Sequence, residues 1–170
     1  SATAAMTLVV GNRAPTTGAA SVSLAEDASY IFKRADFPFT DADGNTLAKL
    51  ELGSLPVDGQ LRLNGVAQVA GAQISVADLD AGKLTYVPAA NVNGARSFDF
   101  KVWDQQAASS AAKMTLTVIP VNDAPTTAAA KAVTSADTAY VFKAADFPFS
   151  DVDAGDSLQA VVLGSLPGNG

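Results

Sequence analysis

The clearest alternation in the chain lies in residues 97–104, SFDFKVWD, where Phe98, Phe100 and Val102 fall on one side and Asp99, Lys101 and Trp103 on the other. A period of two marks a strand with one face on a core and the other toward water. Residues 113–118 repeat the pattern with Met114, Leu116 and Val118 inward, and shorter alternations occur at 21–24, 30–33, 48–52, 60–63 and 84–87. Between them lies turn chemistry: LPVDG at 55–59, Asn64-Gly65, DAG at 80–82 and NVNG at 91–94. Only SVADLDAG, residues 75–82, predicts a helix, one or two turns long, with Ser75 as its N-cap and Gly82 as its stop. Short, evenly spaced strands separated by turns predict an all-β fold, a sandwich of two antiparallel sheets with about seven strands. Tyr86, Phe98 and Phe100 belong to its core.

The pattern is also repeated on a longer scale. YIFKRADFPFTDAD, residues 30–43, returns 110 positions later as YVFKAADFPFSDVD, residues 140–153, with ten of fourteen positions identical. LGSLP at 52–56 returns at 163–167, and the frame shifts by one because the second acidic loop is one residue longer. SATAAMTL at 1–8 resembles SSAAKMTL at 109–116, and GNRAPTT at 11–17 resembles VNDAPTT at 121–127. The organisation that follows is the last strand of a preceding repeat (1–11), one complete repeat (12–121) and the N-terminal half of a following repeat (122–170). That half has no counterpart of residues 60–113, so Tyr140, Phe142, Val161 and Leu163 and the sheet edges beside them are expected to be uncovered. Either the chain boundary cuts a repeat, or another chain completes it by strand addition, a route to self-association.

Composition narrows the function. With 170 residues and 48% hydrophobic content the chain can bury a real core, yet no run approaches the roughly 18 apolar residues of a membrane span. No basic stretch followed by an apolar run opens it, so a secretion signal is expected elsewhere in a longer protein. Eleven basic against seventeen acidic residues give a formal charge of -6, which repels nucleic acid and favours cations as partners. The absence of Cys and His removes disulfides, thiolate chemistry, zinc sites of the usual kind and His-based triads. With no GxSxG or phosphate-cradling loop either, the chain is not expected to be an enzyme.

Three groups of acids are candidates for cation binding. Asp41 and Asp43, repeated as Asp151 and Asp153, place alternate carboxylates on an irregular loop where both can face one hard cation, or simply make an Asx turn. Asn122 and Asp123 precede Pro125 in the linker between copies, where an ordinary turn is the other reading. Glu26, Asp27 and Asp104 read as solvated carboxylates at strand ends, or as further ligands where a linker and two sandwich ends meet. Carboxylates crowded at one junction repel unless a cation lies between them. DFPF, at 36–39 and 146–149, reads as a plug for the core, and Trp103 as a rim residue or, in a carbohydrate- or protein-binding module, a contact for a ligand.

VNDAPTT, Glu26-Asp27 after Pro15, YIFKRADFPFTDAD, YVPAANVNGARSFDFKVWD and the closing MTLTVIPVNDAP together resemble the cadherin-like repeats of large bacterial surface adhesins, RTX-type and type I secreted. The resemblance covers nearly the whole chain. It implies an immunoglobulin/cadherin-like Greek-key β-sandwich of about seven strands per repeat, acting as a spacer in an extracellular, cell-surface filament active in adhesion and biofilms, with neighbouring repeats as partners and calcium at the junctions. By position it implies Glu26, Asp104, Asn122, Asp123, Asp151 and Asp153 as ligands. The acidic-basic-acidic triplet of animal cadherins has no counterpart, which implies a reduced site, down to a single ion. Arg13 stands where the later copy has Asp123, and Ala136 where the first has Glu26. The Arg13 guanidinium is expected to pair with Asp41 or Asp43 in place of a cation.

Overall fold

The computed structural model describes residues 11–165, so the strand expected at 1–11 falls, apart from Gly11, outside the described residues. The chain divides into two compact units, Ser1–Val121 and Asn122–Gly170. In the first, the described residues form β1 (Ala20–Ala25), β2 (Tyr30–Ile31), β3 (Lys49–Leu52), β4 (Gly59–Leu63), β5 (Val66–Ala67), β6 (Gln73–Ser75), α1 (Val76–Asp80), β7 (Leu84–Pro88), β8 (Gly94–Trp103) and β9 (Ala112–Ile119). One sheet has the order β1-β9-β8-β3-β6 and the other β2-β7-β4-β5. β5 and β6, two and three residues long, are too short to show an alternation and are fixed by pairing, Leu63 with Val66 and Leu50 with Ile74.

The local signals act as their chemistry requires. Asn64 and Gly65 both have positive φ, 49° and 81°, which the tight β4–β5 hairpin needs. The Ser75 hydroxyl accepts the Asp78 amide at 3.1 Å to start α1, and Gly82 at φ 65° ends the turn that follows it.

One expectation is corrected. The sheets are not purely antiparallel, because β1 runs parallel to β9 in the register Ala20 to Met114 through Ala25 to Ile119. Strand propensity does not encode direction; pairing does. The consequence is positional: β1 begins at the end of the sandwich where β9 also begins, and the chain leaves from the opposite end. A module that enters at one pole and exits at the other can be strung head to tail.

The inward faces of both sheets meet in one core. Phe32, Leu50, Leu52, Ile74, Leu84, Tyr86, Phe100, Val102, Met114 and Leu116 are all fully buried. Phe32 packs edge-on against Phe98 at 5.8 Å between ring centres and lies 5.5 Å from Phe37, which in turn meets Phe100 at 5.1 Å. DFPF is therefore a plug in this unit. The 3-10 turn Arg34–Asp36 carries Phe37 inward, and the Asp36 carboxylate holds the turn by accepting the Lys33 amide at 2.8 Å.

The second unit repeats several short-range features of the first and has, among its described residues, no strand. It has the 3-10 turn Ala144–Asp146, the Lys143 amide on Asp146 at 2.8 Å, and the bridge Thr126 to Ser150 that mirrors Thr16 to Thr40. Thr127 donates to the Pro148 carbonyl at 2.6 Å as Thr17 does to Pro38. Turns close on their own residues. Strands need partners, and the counterparts of β7, β8 and β9 are not in these residues.

Candidate cation site

In the first unit the acidic loop and the linker meet at the pole where the chain enters. Asp41 Oδ1 accepts the amides of Asp43 at 2.8 Å and Asn45 at 3.1 Å, the Asx turn read from the sequence. Asp43 Oδ2 accepts the Arg13 amide at 2.6 Å. The Asn45 side chain donates to Asn12 Oδ1 at 2.6 Å, and Asn12 donates onward to Asp104 Oδ2 at 2.9 Å. Among the described residues, buried Asp41 Oδ2 has no hydrogen-bond partner.

Asp104 is not the solvated strand-end carboxylate the sequence suggested. It is fully buried. The Ala107 amide at 2.6 Å, the Asn12 side chain and the Gln106 amide at 2.5 Å hold it below the usual carboxylate range, against the opposing effect of burial. Because the folded pKa is lowered, this contribution to stability is fully present above the ordinary Asp value of about 4 and is lost as the pH falls through the lowered value. Acid unfolding of the native chain should steepen below about pH 4, and Asp104→Asn should flatten that limb of the stability curve. An acid limb unchanged in the variant would contradict the assignment.

Glu26 is likewise buried rather than solvated. It follows β1 at the exit pole, where its amide donates to the Ile119 carbonyl at 3.0 Å and its carboxylate accepts the Val121 amide at 2.7 Å. β8 is antiparallel to β9, with Gly94 opposite Val118, so Asp104 beyond the far end of β8 sits at the entry pole. This corrects the grouping of Glu26 with Asp104 at one junction. Asp104 joins the linker of its own repeat, and the direction of β8, invisible in the sequence, is the reason.

In the second unit the same scaffold carries different chemistry. Asp151 Oδ1 accepts the Asp153 amide at 2.9 Å, and Asp153 Oδ2 accepts the Asp123 amide at 2.6 Å, reproducing the first copy. Asn122 turns its side chain to the Asp123 carbonyl at 2.7 Å. Asp156 occupies the position of Asn45, a candidate the sequence reading passed over although the aligned loops contain it. Asp151, Asp153 and Asp156 each offer an oxygen within 4.8 Å of the others. Of the six sequence candidates, the structure thus places Asn122, Asp123, Asp151 and Asp153 on one unit and Glu26 and Asp104 on the other.

Arg13 answers part of the expectation for the first copy. Its Nε lies 3.9 Å from Asp43 Oδ1, a loose and exposed pair, and its main contact with Asp43 is through the backbone. Trp103 is a rim residue with both of its handles engaged. Its indole N–H donates to Glu51 at 3.0 Å, and the Lys49 ammonium covers the ring at 4.6 Å.

A two-sheet sandwich with a parallel first and last strand, opposed chain ends and an acidic loop at its entry pole defines an immunoglobulin-like structural module. The chain belongs to the bacterial Ig domain family, whose model matches residues 12–117. Members of that family are in general non-catalytic. No curated protein and no solved structure matches the chain. Among the described residues no helix is long and apolar enough to cross a membrane.

Proposed function

We propose that the chain is a structural spacer from a secreted, cell-surface adhesin of tandem repeats, cadherin-like in layout and RTX-type in export, in which calcium at the junctions stiffens the filament. The observation that carries the calcium reading is the Asp151, Asp153 and Asp156 cluster. Where the first copy ties the Asn45 side-chain amide to Asn12 and brings in Arg13, the second has Asp156 and Asp123, which bring negative charge instead. Carboxylate and amide oxygens on an irregular loop suit a hard cation of flexible coordination. Asp151, Asp153 and Asp156 would hold it, with Asn122 and Asp123 of the linker beside them. A bound calcium ion would supply the positive charge that offsets the repulsion among these carboxylates. The first copy offers a weaker version through Asp41 Oδ2.

Calorimetric titration tests this reading. Calcium should bind in the range of about 10⁻⁴–10⁻³ M typical of extracellular modules, Asp153→Asn should weaken binding at least about tenfold, and Asp43→Asn should change it little. No calcium binding at millimolar concentration would overturn the proposal. The alternative, a sugar- or protein-binding module built around Trp103, has less support because that ring is covered by Lys49 and tied to Glu51.

A further inference from the structure

We infer that the pairing of β1 with β9 is the clasp by which the first unit carries tension along the chain, and that Glu26 is its latch. This deepens the spacer reading and rests on its tandem arrangement, in which a pull on the filament reaches a module through its two ends. β1 and β9 both run from the entry pole to the exit pole, in six register pairs from Ala20 with Met114 to Ala25 with Ile119. Tension draws β1 by its leading end toward the entry pole and β9 by its trailing end toward the exit pole. The two strands are sheared past each other, so the hydrogen bonds between them stretch together and have to break together. Were β1 antiparallel to β9, those two chain ends would lie at one pole, and the same tension would peel the pair apart bond by bond.

The sheet order makes this pair the contact on which the tension falls. β9 is flanked by β8 and β1, whereas β1 is an edge strand whose one neighbour among the described strands is β9. β8 holds β9 over seven register pairs, from Gly94 with Val118 to Phe100 with Ala112. Ahead of β1 the incoming segment is tied by the paired amides and carbonyls of Thr16 and Thr40, at 2.7 and 3.0 Å, and by the Thr17 hydroxyl, which donates to the Pro38 carbonyl at 2.6 Å. Beyond β1, Glu26 extends the clasp past the last strand pair. Its amide donates to the Ile119 carbonyl and its carboxylate accepts the Val121 amide, so both bonds join the end of β1 to the segment through which tension leaves. Glu26 is 3% exposed, which keeps water from competing for these bonds as they stretch. The second copy has Ala136 at this position, a side chain with no acceptor to offer.

Single-molecule pulling on the full chain, in chelator, tests this. The chain contains no Cys, so introduced pairs set the direction of pull. Gly11→Cys with Ala124→Cys loads the first unit along its length, and Gly18→Cys with Ala111→Cys draws the starts of β1 and β9 apart at one pole. Opening of the unit releases about 30 nm of chain in either geometry, which identifies the event. Forced opening follows the unfolding rate, and the lengthwise pull should need at least about twice the force of the peeling pull at equal loading rate. Glu26→Ala should lower the lengthwise force by at least about a quarter and leave the peeling force unchanged, while Glu26→Gln, which keeps an acceptor oxygen, should retain most of it. Equal forces in the two geometries, a lengthwise force unmoved by Glu26→Ala, or a loss of the same size in both geometries would each overturn the inference, the last because it is what a merely structural role gives. Calcium is absent throughout, so failure here is separable from failure of calcium binding in the spacer reading.

Discussion

Phe32→Ala is expected to destabilise the first unit by about 3–5 kcal/mol, whereas Phe142→Ala at the matching position of the second copy should leave the first unit's stability within about 0.5 kcal/mol. The two residues share a motif, a 3-10 turn and an aromatic neighbour, and differ in what covers them. Phe32 is in contact with Phe98 and Phe37 in a core where a deleted ring leaves a cavity; Phe142 is largely in water. The chain has one Trp, and Trp103 lies in the first unit, so denaturant unfolding followed by its fluorescence reports that unit alone. Equal losses from the two substitutions would contradict this contrast.

Gly59→Ala is the second large effect. A Cβ at Gly59 would stand 2.5 Å from the Tyr86 hydroxyl, 2.6 Å from Cε2 and 2.8 Å from Cζ. Tyr86 is fully buried between the sheets and has nowhere to retreat. Overpacking of this kind costs about 1–3 kcal/mol, while Gly18→Ala, with nothing near its Cβ position, should stay within about 0.5 kcal/mol. A neutral Gly59→Ala would show that Tyr86 can shift and that the β4–β7 contact is looser than its geometry.

These two cases also show where the sequence is informative. The alternation at Phe98, Phe100 and Val102 identified inward positions correctly because burial on one face of a strand imposes a period of two whatever the partner. Asn64-Gly65 and Ser75 were legible because their chemistry is local. Gly59 carried no signal beyond a turn, since the ring it must avoid lies on a strand 27 positions later. β6 and the parallel pairing of β1 were hidden for the same reason: both are set by partners distant in the chain.

The candidate site divides the same way. Asp41, Asp43, Asp151 and Asp153 stood out by spacing, and the turn they build is local. Asp104 and Glu26 looked like two ligands of one junction until strand direction put them at opposite poles. Each is instead a buried anchor, Asp104 for the incoming linker through Asn12 and Glu26 for the outgoing one through Val121. Asp156 escaped notice because its counterpart Asn45 is not acidic, so the repeat offered no acidic match to point it out.

Small-angle X-ray scattering of the full chain with and without calcium tests most directly whether calcium stiffens a chain of sandwiches at acidic junctions, as proposed. A longer maximum dimension and a narrower distribution of distances are expected in millimolar calcium, both reverting on chelation and both absent in Asp153→Asn. Superimposable scattering profiles with and without calcium would contradict it.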